Sequence, residues 1–304
     1  MRVLLIFIDG LGLGSSYADI NPLVRFGLPA ITELFGQPLT QYIHSVLTPQ
    51  CCLLGLDATL GVPGLPQSAT GQATILTGIN TAKVMGRHIQ AFPGPQLMQI
   101  ISEHNIMKRL FAAGLTATSA NMYTPNYFEL VAARKRRHAA ITLAALSTAA
   151  ALRSLPEVCA GQAVYQDITN EMLPEMGIDN IAVLTPTQAA NNLLNISRKY
   201  SFTIFEYFQT DRAGHKQDWA KAQRVIRVLD EFIGAVHHRL PADTLLLITS
   251  DHGNFEDMGV RTHTLNQVPL IALGCRAQET VSKITDLTGI TPAILAALGK
   301  DELM

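Results

Sequence analysis

Charge is scarce in this sequence. Of 304 residues only 15% are Asp, Glu, Lys or Arg, against roughly a quarter in an ordinary soluble chain. The two signs nearly cancel, with 23 basic and 24 acidic residues and a net charge of −1. There is no long Lys/Arg stripe interleaved with aromatics, and nucleic-acid binding draws most of its affinity from neutralising phosphates, so nucleic acid is not an expected partner. Cysteine is sparse as well. Cys51, Cys52, Cys159 and Cys275 make neither C-x-x-C pairs nor the dense even spacing of a disulfide scaffold, which leaves buried thiols as the expectation. The longest candidate membrane stretch, residues 139–152, holds fourteen uncharged residues, short of the roughly 20 that a membrane span needs. The apolar start, residues 1–8, is too short for a signal segment and runs into Asp9-Gly10 with no small-residue cleavage site. A soluble cytoplasmic protein with no membrane partner is expected.

Apolar residues are plentiful, at 48%, enough for a large core and for a homo-oligomer interface besides. Residues 2–8 read RVLLIFI and stop abruptly at Asp9-Gly10, as a strand buried on both faces would. The same grammar recurs at 202–208 (FTIFEYF) before Gln-Thr-Asp211, at 244–249 (TLLLIT) before Ser-Asp251, and at 268–273 (VPLIAL) before Gly274. Helical patterns lie between them, at 103–113 closed by Gly114, 186–198, 219–239 and 291–298, and residues 115–122 read as another strand. Alternating strand and helix predict an α/β fold with a doubly wound, mostly parallel sheet. Strand signals vanish over residues 125–181, where a basic run, Arg134-Lys135-Arg136-Arg137, precedes an alanine-rich segment and a Pro/Gly-bearing loop. This predicts a core of residues 1–124 and 182–304 with a small, mainly helical inserted cap at 125–181. The basic run reads as a solvated helix face or, alternatively, a clamp for substrate phosphate. His237 and His238, late in a helix, read as surface residues.

Ligands of open α/β sheets bind beyond the carboxyl ends of the strands. Three of the four apolar runs end there in an aspartate: Asp9, Asp211 and Asp251. His215 follows Asp211 by four residues, His252 follows Asp251 directly, and His263 stands between two threonines. Carboxylate oxygen and imidazole nitrogen suit Zn²⁺ or Mn²⁺, and the lack of nearby thiols argues against a purely structural zinc site. Six such ligands fit two metal ions. Without cations, three carboxylates in one crevice would repel and raise each other's pKa; with them, the crevice attracts a phosphate. Ser68 opens a small-polar stretch, SATGQATILTG, at a helix N-terminus that welcomes anions, either as a plain N-cap or as a nucleophile beside the metals, with Thr70 in reserve. The Gly10-Leu11-Gly12-Leu13-Gly14 loop lacks GxGxxG spacing and carries a carboxylate, so a dinucleotide site is disfavoured.

Five segments, IDGLG (8–12), GVPGLPQSATGQ (61–72), DRAGH (211–215), SDHGN (250–254) and THTLNQVPLI (262–271), resemble the alkaline phosphatase superfamily, in particular its metalloenzyme branch with cofactor-independent phosphoglycerate mutase and phosphopentomutase. The resemblance covers both outer thirds of the chain. It implies an alkaline phosphatase-like fold with one metal held by Asp9, Ser68, Asp251 and His252, and the other by Asp211, His215 and His263. Ser68 would then be the catalytic residue that becomes phosphoserine. Manganese is usual in this branch and zinc elsewhere in the superfamily. A sulfatase is disfavoured, because Ser68 is followed by Ala-Thr-Gly-Gln and not by x-P-x-R. The expected function is transfer of a phosphoryl group from a small phosphorylated substrate, a phosphate monoester, in a phosphatase-type hydrolase. A phosphomutase or a phosphodiesterase on the same site, or a metal-binding module without catalysis, are the alternatives. A mutase must hold its intermediate away from water with several cations, and apart from 134–137 and Arg153 the cap region supplies few.

Overall fold

The computed structural model describes residues 1–148 and 151–303. Seven strands, β1 (Arg2–Ile8), β2 (Val46–Thr48), β3 (Cys51–Leu56), β4 (Ala117–Ser119), β5 (Phe202–Tyr207), β6 (Thr244–Thr249) and β7 (Val268–Gly274), form one sheet in the order β2-β3-β7-β6-β1-β5-β4. β1 pairs in parallel with β5 and β6, and β4 with β5. β7 runs antiparallel to β6 and to β3, and β2 runs antiparallel to β3. The sheet is therefore mixed but mostly parallel, an α/β fold.

Side-chain alternation along β1 divides the core in two, because successive residues of a strand face opposite sides. Val3, Leu5 and Phe7 join one apolar cluster with Ala73 and Leu76 of the helix Ser68–Thr77, Leu97 of Pro95–His104 and Ile294 of Ile290–Ala297. Leu4, Ile6 and Ile8 join the other, with Leu193 of Pro186–Ser197 and Phe232 of Trp219–His238. Helices on both faces are what the uninterrupted apolar runs demand. Truncating one of these side chains, for example Ile6→Ala, is expected to cost about 2–5 kcal/mol.

Several expectations shift. The helix expected at 103–113 is two, Pro95–His104 and Ile106–Ala112, divided at Asn105, whose extended backbone and side-chain acceptance from the Lys108 N–H make it an N-cap. The strand expected at 115–122 is only Ala117–Ser119. Beyond it, Asn121 and Met122 make isolated bridges to Val164 and Arg153. The β2–β3 hairpin carries Cys51 and Cys52. Cysteine burial was overestimated: Cys52 is buried, Cys51 and Cys275 are partly buried, and Cys159 is exposed at the end of the short helix Leu155–Cys159. His237 is partly buried and His238 exposed.

Within 125–181, the helix Ala140–Leu146 buries Ala140, Ile141 and Ala144 in the first core cluster, and Val158, Ala163, Tyr165 and Leu173 form a small cluster with Met122, which precedes the segment. The basic run is no helix face, since the helix Pro125–Ala132 has ended and Arg134 turns the chain in the left-handed region. Among the described residues no helix is long and apolar enough to cross a membrane.

Candidate metal centre and pocket

β6, β1 and β5 are neighbours in the sheet and run parallel, so their carboxyl ends open on one rim. Asp9 follows β1, Asp251 lies two residues past β6, and Asp211 sits in the first turn of the helix Gln209–Lys216 that follows β5. His215 is one turn further along that helix. Because β7 is antiparallel to β6, the loop carrying His263 reaches the rim at the strand's start. β3 ends there too, Leu56 opposite Val268, and the chain after it leads to Ser68.

These placements bring all seven residues together. Ligand atoms of Asp9, Asp251 and His252 lie within 4.8 Å of one another, as do those of Asp211, His252 and His263. His252 Nε2 is 3.3 Å from Asp9 Oδ1, 3.5 Å from Asp251 Oδ2 and 2.9 Å from Ser68 Oγ. His263 Nε2 is 3.6 Å from Asp211 Oδ1, and His215 Nε2 is 3.4 Å from it. His252 and His263 stack with ring centroids 3.6 Å apart. His252 thus stands between the two groups.

The donor set fits divalent cations on three counts. Asp9 Oδ1, Asp211 Oδ1 and Asp251 Oδ2 are buried with no hydrogen-bond partner among the described residues, although a buried acceptor left unpaired costs about 1–3 kcal/mol. His215 Nδ1 and His263 Nδ1 lie 2.7 Å from the carbonyls of Arg261 and Pro66. Each carbonyl must accept an N–H, so in the neutral rings each Nε2 keeps its lone pair, and the two Nε2 atoms lie 3.2 Å apart. A ring nitrogen fixed by such a backbone bond is the usual arrangement of a metal-binding histidine.

The electrostatics agree. Burial and the charge of Asp9 push the Asp211 carboxyl up to about 6, and the same two causes raise Asp251 well above its ordinary value. Burial alone would lower the His252 pKa, but Asp251, Asp9 and Asp211 raise it to about 10. Burial and the neighbouring His252 depress His263 to about 4. Protons crowd onto this rim because positive charge is in short supply there.

Ser68 is the first residue of its helix; Gln67 holds the cap position and offers no side-chain cap. The Thr70 hydroxyl donates to the Gln67 carbonyl and accepts from the Ile89 N–H, and the residue is fully buried, so Thr70 is no reserve nucleophile. Gly71, one turn into the helix, lets it approach the rim: a Cβ there would lie 2.7 Å from Asp251 Cβ.

Glu256 escaped the sequence reading. It is fully buried and accepts from the backbone N–H groups of Gly12 and Asn254 at 2.9 and 2.8 Å, from the Asn266 amide at 2.9 Å, and from the Thr264 hydroxyl. One carboxylate therefore ties the loop after β1 to both ends of the single β6–β7 connection. A Cβ on Gly12 would meet Glu256 Oε1 at 2.3 Å, which explains a glycine at that point of the loop. The only clue in the sequence is an acid two residues past Asn254.

The rim opens into a pocket of about 570 Å³ that Ser68, Asp9, Asp211, His215 and His263 share with aromatic side chains from the middle of the chain. Arg136 and Arg137 are exposed and line it, so this half of the basic run faces the pocket.

A profile of the Metalloenzyme superfamily matches residues 1–302. The chain belongs to the Metalloenzyme superfamily. Among its relatives, the 2,3-bisphosphoglycerate-independent phosphoglycerate mutase of Vibrio parahaemolyticus is 38% identical over 111 residues, 34% of this chain and 22% of that protein. The mutase of the same description from Methylobacillus flagellatus is 30% identical over 112 residues, again 34% and 22%. The match thus spans about a fifth of the length of these relatives. Among solved structures, the alkaline phosphatase of Thermus thermophilus aligns with a TM-score of 0.55 and 11% identity over 98% of this chain and 91% of its own. That of the Antarctic bacterium TAB5 aligns with 0.51 and 15% over 98% of both chains. These likenesses show a common fold. As a member of the Metalloenzyme superfamily the chain is a divalent-metal protein, and its relatives and fold neighbours include phosphatases and phosphomutases.

Proposed function

We propose that this Metalloenzyme-superfamily chain is a phosphoryl-transfer enzyme that acts on phosphate monoesters through a phosphoserine on Ser68, in the manner of a phosphatase. The observation that carries the reading is the convergence of three unpartnered buried aspartate oxygens and three histidine Nε2 atoms beside a serine hydroxyl at the mouth of one pocket.

In this reading Asp9, Ser68, Asp251 and His252 hold one divalent ion and Asp211, His215 and His263 the other, manganese or zinc. Bound there, such ions polarise the phosphoryl oxygens and favour the ionised serine hydroxyl. The remaining work falls to the chain. The backbone bonds to His215 and His263 keep both rings turned toward the ligand, Glu256 fixes the loop after Asp9 to the connection that carries Asp251, His252 and His263, and the helix starting at Ser68 directs its positive end at the attacking oxygen. Ser68 Oγ attacks phosphorus, the alcohol leaves into the pocket, and water cleaves the phosphoserine. The segment 125–181 supplies the far wall of the pocket.

A mutase is the second reading, favoured by the mutase relatives. It asks the pocket to retain an anionic intermediate, and the pocket's arginines 136, 137 and 261 are exposed. Manganese-loaded protein given an aryl phosphate is expected to release inorganic phosphate, and Ser68→Ala to abolish release while keeping its bound metal. Isomerisation of a sugar phosphate without free phosphate would establish the mutase instead, and cleavage of a bis-aryl ester alone a diesterase.

A further inference from the structure

The side of the pocket away from the rim has a chemistry of its own. Phe92, Tyr123, Tyr127, Tyr165 and Phe208 line it, and its phenol hydroxyls are already engaged. Tyr127 Oη is 2.7 Å from His138 Nδ1, Tyr123 Oη is 2.9 Å from Thr142 Oγ1, and Tyr165 Oη donates to Met176 Sδ and accepts from the Gln166 amide. With their hydroxyls engaged, these tyrosines line the pocket with ring surface. Arg136 lies over the Tyr127 ring at 5.2 Å and Arg137 over Phe92 at 5.5 Å, so the exposed cations are spent on the aromatic wall at the entrance.

Glu206 differs from these engaged hydroxyls. It stands on β5, only 8% exposed, and lines the pocket. Its backbone is fixed by the Asn121 side chain, which donates to the Glu206 carbonyl and accepts from its N–H, both at 2.8 Å. Its carboxyl has no hydrogen-bonding or ion-pair partner among the described residues. A mostly buried carboxyl without a partner in the protein takes one from outside. Burial, with the charges of Asp9 and Asp251 in the metal-free protein, pushes it up to about 8.

We propose that this pocket is the leaving-group site for phosphate esters whose alcohol has a flat, mostly apolar body and carries a hydrogen-bonding group that pairs with Glu206. This rests on the phosphoryl-transfer reading above. On this side of the pocket a small polyanion finds no buried Lys or Arg among the described residues, whereas an aromatic alcohol finds ring surface and a carboxyl without a partner in the protein. Glu206 is thereby a specificity-determining residue.

Calorimetric titration of manganese-loaded protein with three stable phosphonates tests the proposal without turnover. Benzylphosphonate is expected to bind about tenfold tighter than ethylphosphonate through ring burial, and 4-aminobenzylphosphonate about fivefold tighter again through Glu206. Glu206→Leu should erase the second ratio and Glu206→Gln, which keeps a donor and an acceptor, should restore it. Tyr127→Ala should shrink the first. Because the readouts are ratios within one protein, a general loss of affinity in a variant does not decide the matter. Equal affinity for all three compounds would overturn the leaving-group proposal and leave the phosphoryl-transfer reading standing. Absence of metal-dependent binding by any of them would overturn that reading itself, and this inference with it.

Discussion

At the rim, polar atoms outnumber their partners; along the aromatic wall of the same pocket, almost every polar atom has one. Three aspartates keep a buried oxygen unpaired and two histidine nitrogens face each other at 3.2 Å, whereas the wall's tyrosines are each hydrogen-bonded within the protein. A surface that leaves its polar atoms unsatisfied is completed by something charged, and one that satisfies them selects by shape. The first describes a place for cations and a phosphate, the second a place for the alcohol.

The widest break in that comparison comes from Ser68→Ala. Turnover of an aryl phosphate is expected to fall by about 10⁴-fold or more, with metal content unchanged by elemental mass spectrometry. Stripping the cations comes next: chelation is expected to remove about 4 kcal/mol of stability, the contribution of a ligand present at about a thousandfold its Kd, read as a lower melting temperature that manganese restores. An unchanged melting temperature would mean that the unpaired oxygens are not a metal's ligands. Glu256→Ala leaves the Gly12 and Asn254 N–H groups buried and unpaired, and a loss of about 3 kcal/mol in denaturant unfolding is expected.

The metal-free protein should also respond to pH. Folded pKa values raised above the unfolded ones, as for Glu206 (about 8) and His252 (about 10), mean that the folded state holds the extra protons, so stability declines as pH rises through those values. The depressed His263 acts oppositely, but only between about 4 and its unfolded value near 6.5. From pH 6.5 to 9 the metal-free form is therefore expected to lose about 5 kcal/mol, on the order of 2 from Glu206 and 3 from His252. A metal-free form that becomes more stable over this range would contradict the crowded-charge description. The smallest effect is expected on the entrance: the double change Arg136→Ala and Arg137→Ala should raise KM for an aryl phosphate about threefold, in keeping with exposed cation–π contacts.

The rim was legible in the sequence because parallel strands announce their ends. Each apolar run breaks at a polar residue, and Asp9, Asp211 and Asp251 stand at or just beyond three such breaks. The fourth run, VPLIAL, ends without an acid because β7 is reversed, so its start, next to His263, faces the rim. That reversal was not legible, since strand direction is set by the length and path of the connection. The wall was hidden for another reason: Phe92, Tyr127, Tyr165 and Phe208 come from four separate segments and share no spacing. Glu206 sits inside the run FTIFEYF, where a single acid looks like an interruption. Its placement depends on the strand's register beside β1.

The central claim, a covalent phosphoserine at the rim, is tested most directly by the configuration at phosphorus when an isotopically chiral phosphate monoester passes its phosphoryl group to an added alcohol. Two successive in-line displacements predict retention; inversion would show that the acceptor attacks the substrate itself and that Ser68 is never phosphorylated.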